Sequence, residues 1–183
     1  MIPIRDANPT ERLPLLTLLI IVSNVIVFIF EWRKGPEAFQ EAVQELGLIP
    51  ALWIQEGFSL EPVLTSMFMH GSWGHLIGNM WFLWIFSDNV EDRLGAWRFL
   101  MLYFLSGVGA VILQVALRPA SMIPMVGASG AISGVMGAYM VFFPGARVLV
   151  WWPLFYFSTL PAGLFTGLWF VIQFLSGGCQ ALL

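Results

Sequence analysis

Three side chains suited to nucleophilic or hydrogen-bonding chemistry stand in sequence that is otherwise strongly apolar. His75 and Asn79 are four residues apart, a spacing that puts them one turn apart on the same helix face. Ser129 opens Ser129–Phe143, a run crowded with Gly130, Ala131, Ser133, Gly134, Gly137 and Ala138. A serine hydroxyl attacks an acyl carbon only when a base stands beside it. The negative oxygen that such an attack creates needs N–H donors, which imidazole, carboxamide and the backbone at a helix start can supply. Taken singly, His75 and Asn79 read as hydrogen-bonding glue between helices and Ser129 as an N-cap. Taken together at membrane depth, where unpaired polar side chains are costly, they point to one shared site.

The elements that position them follow from composition. The chain has 183 residues, 58% hydrophobic and only 10% charged, with nine tryptophans. Its mean hydropathy is +0.82. Soluble domains carry about 25% charged residues, so the expectation is a single all-α domain, a polytopic transmembrane helix bundle of five spans. The net charge of −3 is spread over loops, with no basic patch for nucleic acid. Cys179 is the only cysteine, so no internal disulfide forms. It reads as a small apolar residue, with palmitoylation the alternative. No metal or cofactor set is apparent.

The first span is expected over Leu13–Trp32, with Pro14 in its first turn and an anchor at Trp32, Arg33 and Lys34. Ser23 and Asn24 inside it read as partners for a neighbouring helix. Residues 33–66 carry Glu37, Glu41, Glu45, Glu56 and Glu61 among spaced apolar residues. They read as one or two short amphipathic helices at the interface that cover or gate something. Met67–Val90 holds the second span, with Glu91 and Arg93 capping its end, and Trp97–Leu117 the third. The prolines of 119–126 disfavour helix. The 15 residues Ser129–Phe143 then rise about 22 Å, short of a hydrocarbon core of about 30 Å. Ser129 therefore starts below one membrane face, tolerable only beside a water-filled cavity. A fifth span is expected over Phe157–Leu175, with Gln173 its one strongly polar side chain. Arg5, Arg12, Arg93, Arg98 and Arg147 fall on one side and Arg33, Lys34 and Arg118 on the other. That bias places the N-terminus in the cytoplasm, of a bacterial inner membrane by expectation, with Ser129 opening outward.

Three segments carry a resemblance: Met67-Phe-Met-His70-Gly-Ser-Trp-Gly-His75-Leu-Ile-Gly-Asn79, Asn89-Val-Glu-Asp-Arg-Leu-Gly95 and Gly127-Ala-Ser-Gly-Ala-Ile-Ser-Gly134. In this order and spacing the chain resembles the rhomboid family of intramembrane serine proteases from about residue 5 to residue 176. The resemblance implies Ser129 as nucleophile, His75 and Asn79 lining the oxyanion hole, and His70 near the cavity mouth. It also implies cleavage of other membrane proteins without metal or cofactor.

The family's base is a histidine on a sixth helix, and both histidines here, His70 and His75, precede Ser129. The expectation is a rhomboid-like protein truncated before that helix and proteolytically inactive, acting as a membrane-embedded binding or structural subunit. The alternative is an active endopeptidase whose base comes from further sequence or another chain. Small-xxx-small steps at Gly130 and Gly134 let the serine helix pack tightly. Without a sixth helix this face is expected to leave a lipid-facing groove, filled by lipid, a second copy or another transmembrane protein.

Overall fold

In a computed structural model of the chain, residues 2–152 and 156–179 are described, with side chains of the last helix described to Ile172. Expectations for Gln173 and Cys179 concern side chains outside the described residues. The chain order is β1 (Ile2–Asp6), α1 (Leu15–Trp32), α2 (Pro36–Leu46), α3 (Pro50–Gln55), α4 (Glu61–Ser66), α5 (Trp73–Leu94), α6 (Ala96–Leu117), α7 (Ser129–Phe142), β2 (Arg147–Trp152), β3 (Tyr156–Pro161) and α8 (Ala162–Cys179). The fold is mostly helical. Among the described residues two helices, α1 and α6, are long and apolar enough to cross a membrane, and α7 and Ala162–Ile172 are shorter apolar helices. Leu19, Val22 and Ile26 on α1, with Ile112 and Leu113 on α6, face outward, as residues solvated by lipid do.

The all-α expectation is corrected by a three-stranded antiparallel sheet in the order β1-β2-β3. Ile2 pairs with Trp151 and Asp6 with Val148, and Arg147–Trp152 pairs with Tyr156–Pro161. The physical cause is local. Val148 and Val150 alternate inward and are fully buried, and a half-buried run of β-branched and aromatic residues suits a strand. The helix expected from Phe157 therefore begins at Ala162, because residues 156–161 are paired with β2.

The connection after α1 is three short helices instead of one or two, each with proline in its first turn, where the missing N–H costs nothing. α2 buries Phe39, Ala42 and Val43. Phe39 meets Phe28 and Trp32 with ring centroids 5.6 and 5.2 Å apart, and Trp73 meets Phe28 at 4.8 Å. This aromatic knot fixes the connection against α1 and the start of α5.

α7 runs through the centre, packed on α5, α6 and α8. A Cβ on Gly130 would strike Ala110, and one on Gly134 would strike Ser106. Residue numbers fall along α6 as they rise along α7, so the two helices are antiparallel and nearly touch backbone to backbone. The expected open groove is corrected here: α6 covers Gly130 and Gly134, and of the three glycines only Gly137 has no atom within 4 Å of an added Cβ. Ile132, Val135, Met136 and Tyr139 are fully buried beside them.

Two polar assignments also change. Asn24 donates to the Ile20 carbonyl of its own helix at 2.7 Å and also faces the Tyr103 hydroxyl of α6, while Ser23 is exposed. Glu91 caps α1 and not its own helix. Its carboxylate accepts from the Leu16 N–H at 2.9 Å and from the Thr17 N–H and hydroxyl at 2.8 Å each. α1 starts at Leu15 after Pro14, which has no capping side chain, so its free N–H groups take a carboxylate from α5 instead. A buried charge-assisted cap with three donors makes Glu91→Ala cost about 2–3 kcal/mol. Denaturant unfolding in detergent micelles measures this. Asp92→Asn, which weakens the Arg12–Asp92 pair with its largely exposed arginine and the exposed Glu11 N–H bond to the same carboxylate, should cost about 1 kcal/mol or less.

Candidate active site

Ser72 is extended, and its hydroxyl accepts from the His75 N–H at 3.2 Å, so α5 starts at Trp73. This N-cap leaves His70 in the turn before the helix and places His75 and Asn79 on its first two turns. His70 is fully buried. Its Nδ1 lies 3.3 Å from the Phe68 carbonyl and its Nε2 3.0 Å from Asn79 Nδ2. One assignment satisfies both contacts: Nδ1–H donates to Phe68, and the Nε2 lone pair accepts from the Asn79 amide. The His70 and His75 rings stand edge to face, 5.1 Å between centroids. Burial first, then the neighbouring His75, pushes the His70 imidazolium down to about 4 against the opposing Phe68 hydrogen bond. His70 is therefore neutral at pH 7.

The serine enters from the other side. Gly127 takes φ +115°, and a Cβ built there would stand 2.6 Å from His75 Nε2 and 3.2 Å from Asn79 Nδ2. Only glycine fits a left-handed turn pressed against an imidazole. The Gly127 N–H donates to the Ser66 carbonyl at 2.8 Å, tying this turn to the end of α4. Ala128 occupies the N-cap position and Ser129 is the first helical residue, so the N-cap reading of Ser129 does not hold. The first intrahelical bond runs from Ile132 N–H to Ala128 O at 2.9 Å. The N–H groups of Ser129, Gly130 and Ala131 come before it and have no intrahelical acceptor.

A cavity of about 740 Å³ opens over this turn, lined by Ser129, His75, Gly127, Gly107, Gln114 and Arg118 among others. Its wall is bound to the connection after α1. Leu48 and Met125 exchange two backbone hydrogen bonds, at 3.0 and 2.8 Å, and Ala51 N–H donates to Ser121 O at 3.1 Å. So Ser129, His75, Asn79 and His70 are brought together, with a cavity at the serine. Sequence reading missed the Ser66 carbonyl and the Leu48–Met125 pair, since backbone partners leave no side-chain signal. Gly127 was legible as part of a motif but not as the surface on which His75 rests.

Two tests follow from this geometry. In a Cys179→Ser background, Ser129→Cys should react with a membrane-impermeant maleimide while Val135→Cys, fully buried, should not; equal protection would remove the cavity. Gly127→Ala should lower stability by about 1–3 kcal/mol from the positive φ and the clash with His75. It should also slow maleimide labelling at Ser129→Cys. Gly74→Ala, with nothing within 4 Å of its Cβ, is the control that should leave both unchanged.

A family model, the rhomboid domain, matches residues 58–182. The presenilin-associated rhomboid-like protein, mitochondrial, of Bos taurus is 32% identical over 142 residues, covering 76% of this chain and 36% of that protein. Rhomboid protein 1, mitochondrial, of Saccharomyces cerevisiae is 32% identical over 121 residues, 64% of this chain and 34% of its own length. Rhomboid-like protein 11, chloroplastic, of Arabidopsis thaliana is 38% identical over 72 residues, 39% of this chain and 25% of its own. The chain thus spans about a third of the length of the first relatives. Their names are organellar, so the expected bacterial inner membrane has no support from them. The match over most of the chain and the identity to the mitochondrial proteins settle one point: this chain belongs to the membrane-embedded rhomboid family.

Proposed function

We propose that this chain carries the nucleophile and the oxyanion side of an intramembrane serine endopeptidase site, and that residues 1–183 on their own do not turn it over. Ser129 is the nucleophile. His75, Asn79 and the free N–H groups at the start of α7 stabilise the oxyanion, and His70 orients Asn79. α1, α5, α6, α7 and α8 are the five crossings, with the N-terminus on the cytoplasmic side. The observation that carries the reading is Gly127, which rests on His75 and Asn79 two residues before the serine.

The silence follows from how the two imidazoles are used. The His70 lone pair accepts from Asn79, and a base whose conjugate acid is held near 4 is a poor proton acceptor at neutral pH. His75 cannot replace it without vacating the oxyanion side, because one ring does not accept the serine proton and donate to the oxyanion in the same step. Loss of the base from a serine site lowers the rate by roughly 10⁴-fold or more. The chain then acts by binding other transmembrane proteins, as a membrane-embedded subunit in contact with lipid. Of the small-residue face, Gly137 is the part left for such a neighbour. An active endopeptidase whose base comes from another chain or from further sequence is the second reading, favoured by the cavity kept open at Ser129.

Activity-based labelling separates the two. The purified 183-residue chain should stay unlabelled by a fluorophosphonate over hours and leave transmembrane reporter substrates intact. Rapid labelling lost in Ser129→Ala would overturn the silence.

A further inference from the structure

Arg118, the C-cap residue of α6, is the one charged side chain lining the Ser129 cavity among the described residues. It is half-buried. The ion pairs among those residues are Arg12–Asp92 and Lys34–Glu31, so Arg118 has no carboxylate partner there. Gln114, one turn earlier on α6, lines the same wall. The acidic residues of the connection after α1 do not answer it: Glu45, Glu56 and Glu61 border a separate, smaller cavity. A guanidinium on a low-dielectric wall without a counter-ion attracts an anion strongly, and its planar fork fits a carboxylate through two parallel N–H donors.

The reach along α6 sets where that anion must lie. Ala110 is the residue that Gly130, next to Ser129, abuts. Arg118 follows eight residues later on the same helix, a rise of about 12 Å. An extended peptide covers about 3.3 Å per residue, so that rise equals roughly four residues.

We propose that Arg118, supported by the neutral donor Gln114, selects an Asp or Glu side chain in a transmembrane substrate. The acidic residue lies within about four residues of the bond presented to Ser129, on the side facing the connection after α1. The inference rests on the reading of this cavity as the site, and deepens it to a substrate class. A peptide laid along the cavity uses the continuous path from Arg118 to Ser129, which an interfacial lipid headgroup does not.

The test reads binding, so it does not depend on turnover. The probe is an apolar transmembrane peptide with a cysteine at the residue to be presented and one Glu, or one Gln in its place, about four residues toward the outer end. The full chain carries Ser129→Cys and Cys179→Ser in neutral detergent, and disulfide capture is titrated against peptide. The Glu peptide should be captured at about ten-fold lower concentration than the Gln peptide. That preference should vanish in Arg118→Gln, with Gln-peptide capture unchanged, and be partly retained in Arg118→Lys. Equal capture of both peptides would overturn the role of Arg118 while leaving the site standing. Capture of neither would overturn the site and the inference together. A Glu preference abolished by adding phosphatidylglycerol micelles, with Arg118→Gln removing that competition, would make Arg118 a lipid anchor and also overturn it.

Discussion

The Gly127 N–H to Ser66 carbonyl bond, 2.8 Å long, is the contact on which the placement of the site depends. A buried backbone N–H left unpaired on the bundle side of the turn costs several kcal/mol. The Gly127 donor is met by the last residue of α4, so the connection after α1 holds the turn in place. The connection is in turn fixed from both ends. Its aromatic knot on Phe28, Trp32 and Trp73 holds one end, the Leu48–Met125 backbone pair holds its middle, and the Ser66–Gly127 bond holds the other end. With the turn pinned there, the left-handed Gly127 can press against His75 and Asn79, and Ser129 follows at the cavity.

The same rule organises the opposite end of the bundle. Tyr139, near the C-terminal end of α7, donates to Asp6 at 2.6 Å and accepts from Asn8 at 2.7 Å. Asn89 from α5 donates to the same carboxylate oxygen at 2.9 Å. β1 is thereby locked both to β2 and to the foot of the serine helix. Glu91 closes the N-terminus of α1 from α5. α7 is held at its head by Ser66 and at its foot by Asp6, with Gly130 and Gly134 seated on α6 between them. Donors that stabilise a developing oxyanion act only if they are aimed beforehand, and on the proposed reading this double fixation would aim them.

Hydropathy and spacing made much of this legible. The helix Ser129–Phe142 was expected to within one residue, because glycine and alanine density marks a tightly packed membrane helix and Pro144 ends it. His75 and Asn79 were legible as a pair because four-residue spacing on a helix leaves little choice of face. The sheet was not, since β1 and β2 lie about 145 residues apart in sequence, and strand pairing carries no local signal beyond a short alternating run. Nor was the covering of Gly130 and Gly134. Their small size announced a close neighbour, but which helix came close depended on Ser106 and Ala110, themselves unremarkable in sequence. Glu91 was read as a cap and is one, but on α1, because a side chain at a helix end can serve whichever orphan N–H groups stand nearest.

The two histidines show why a motif match and a working site are separate matters. Their rings are 5.1 Å apart, and two imidazolium charges that close in an apolar pocket would repel while each lost its hydration. His70 is neutral and so divides its two ring nitrogens between one donor and one acceptor. His70 spends one on Phe68 and one on Asn79. Asn79 gives one of its two N–H bonds to that partner, and His75 stands with Nε2 against Gly127. Such a set is rich in N–H donors aimed at one place and poor in lone pairs able to take a proton from Ser129. On the proposed reading it stabilises negative charge, and another group would have to generate that charge.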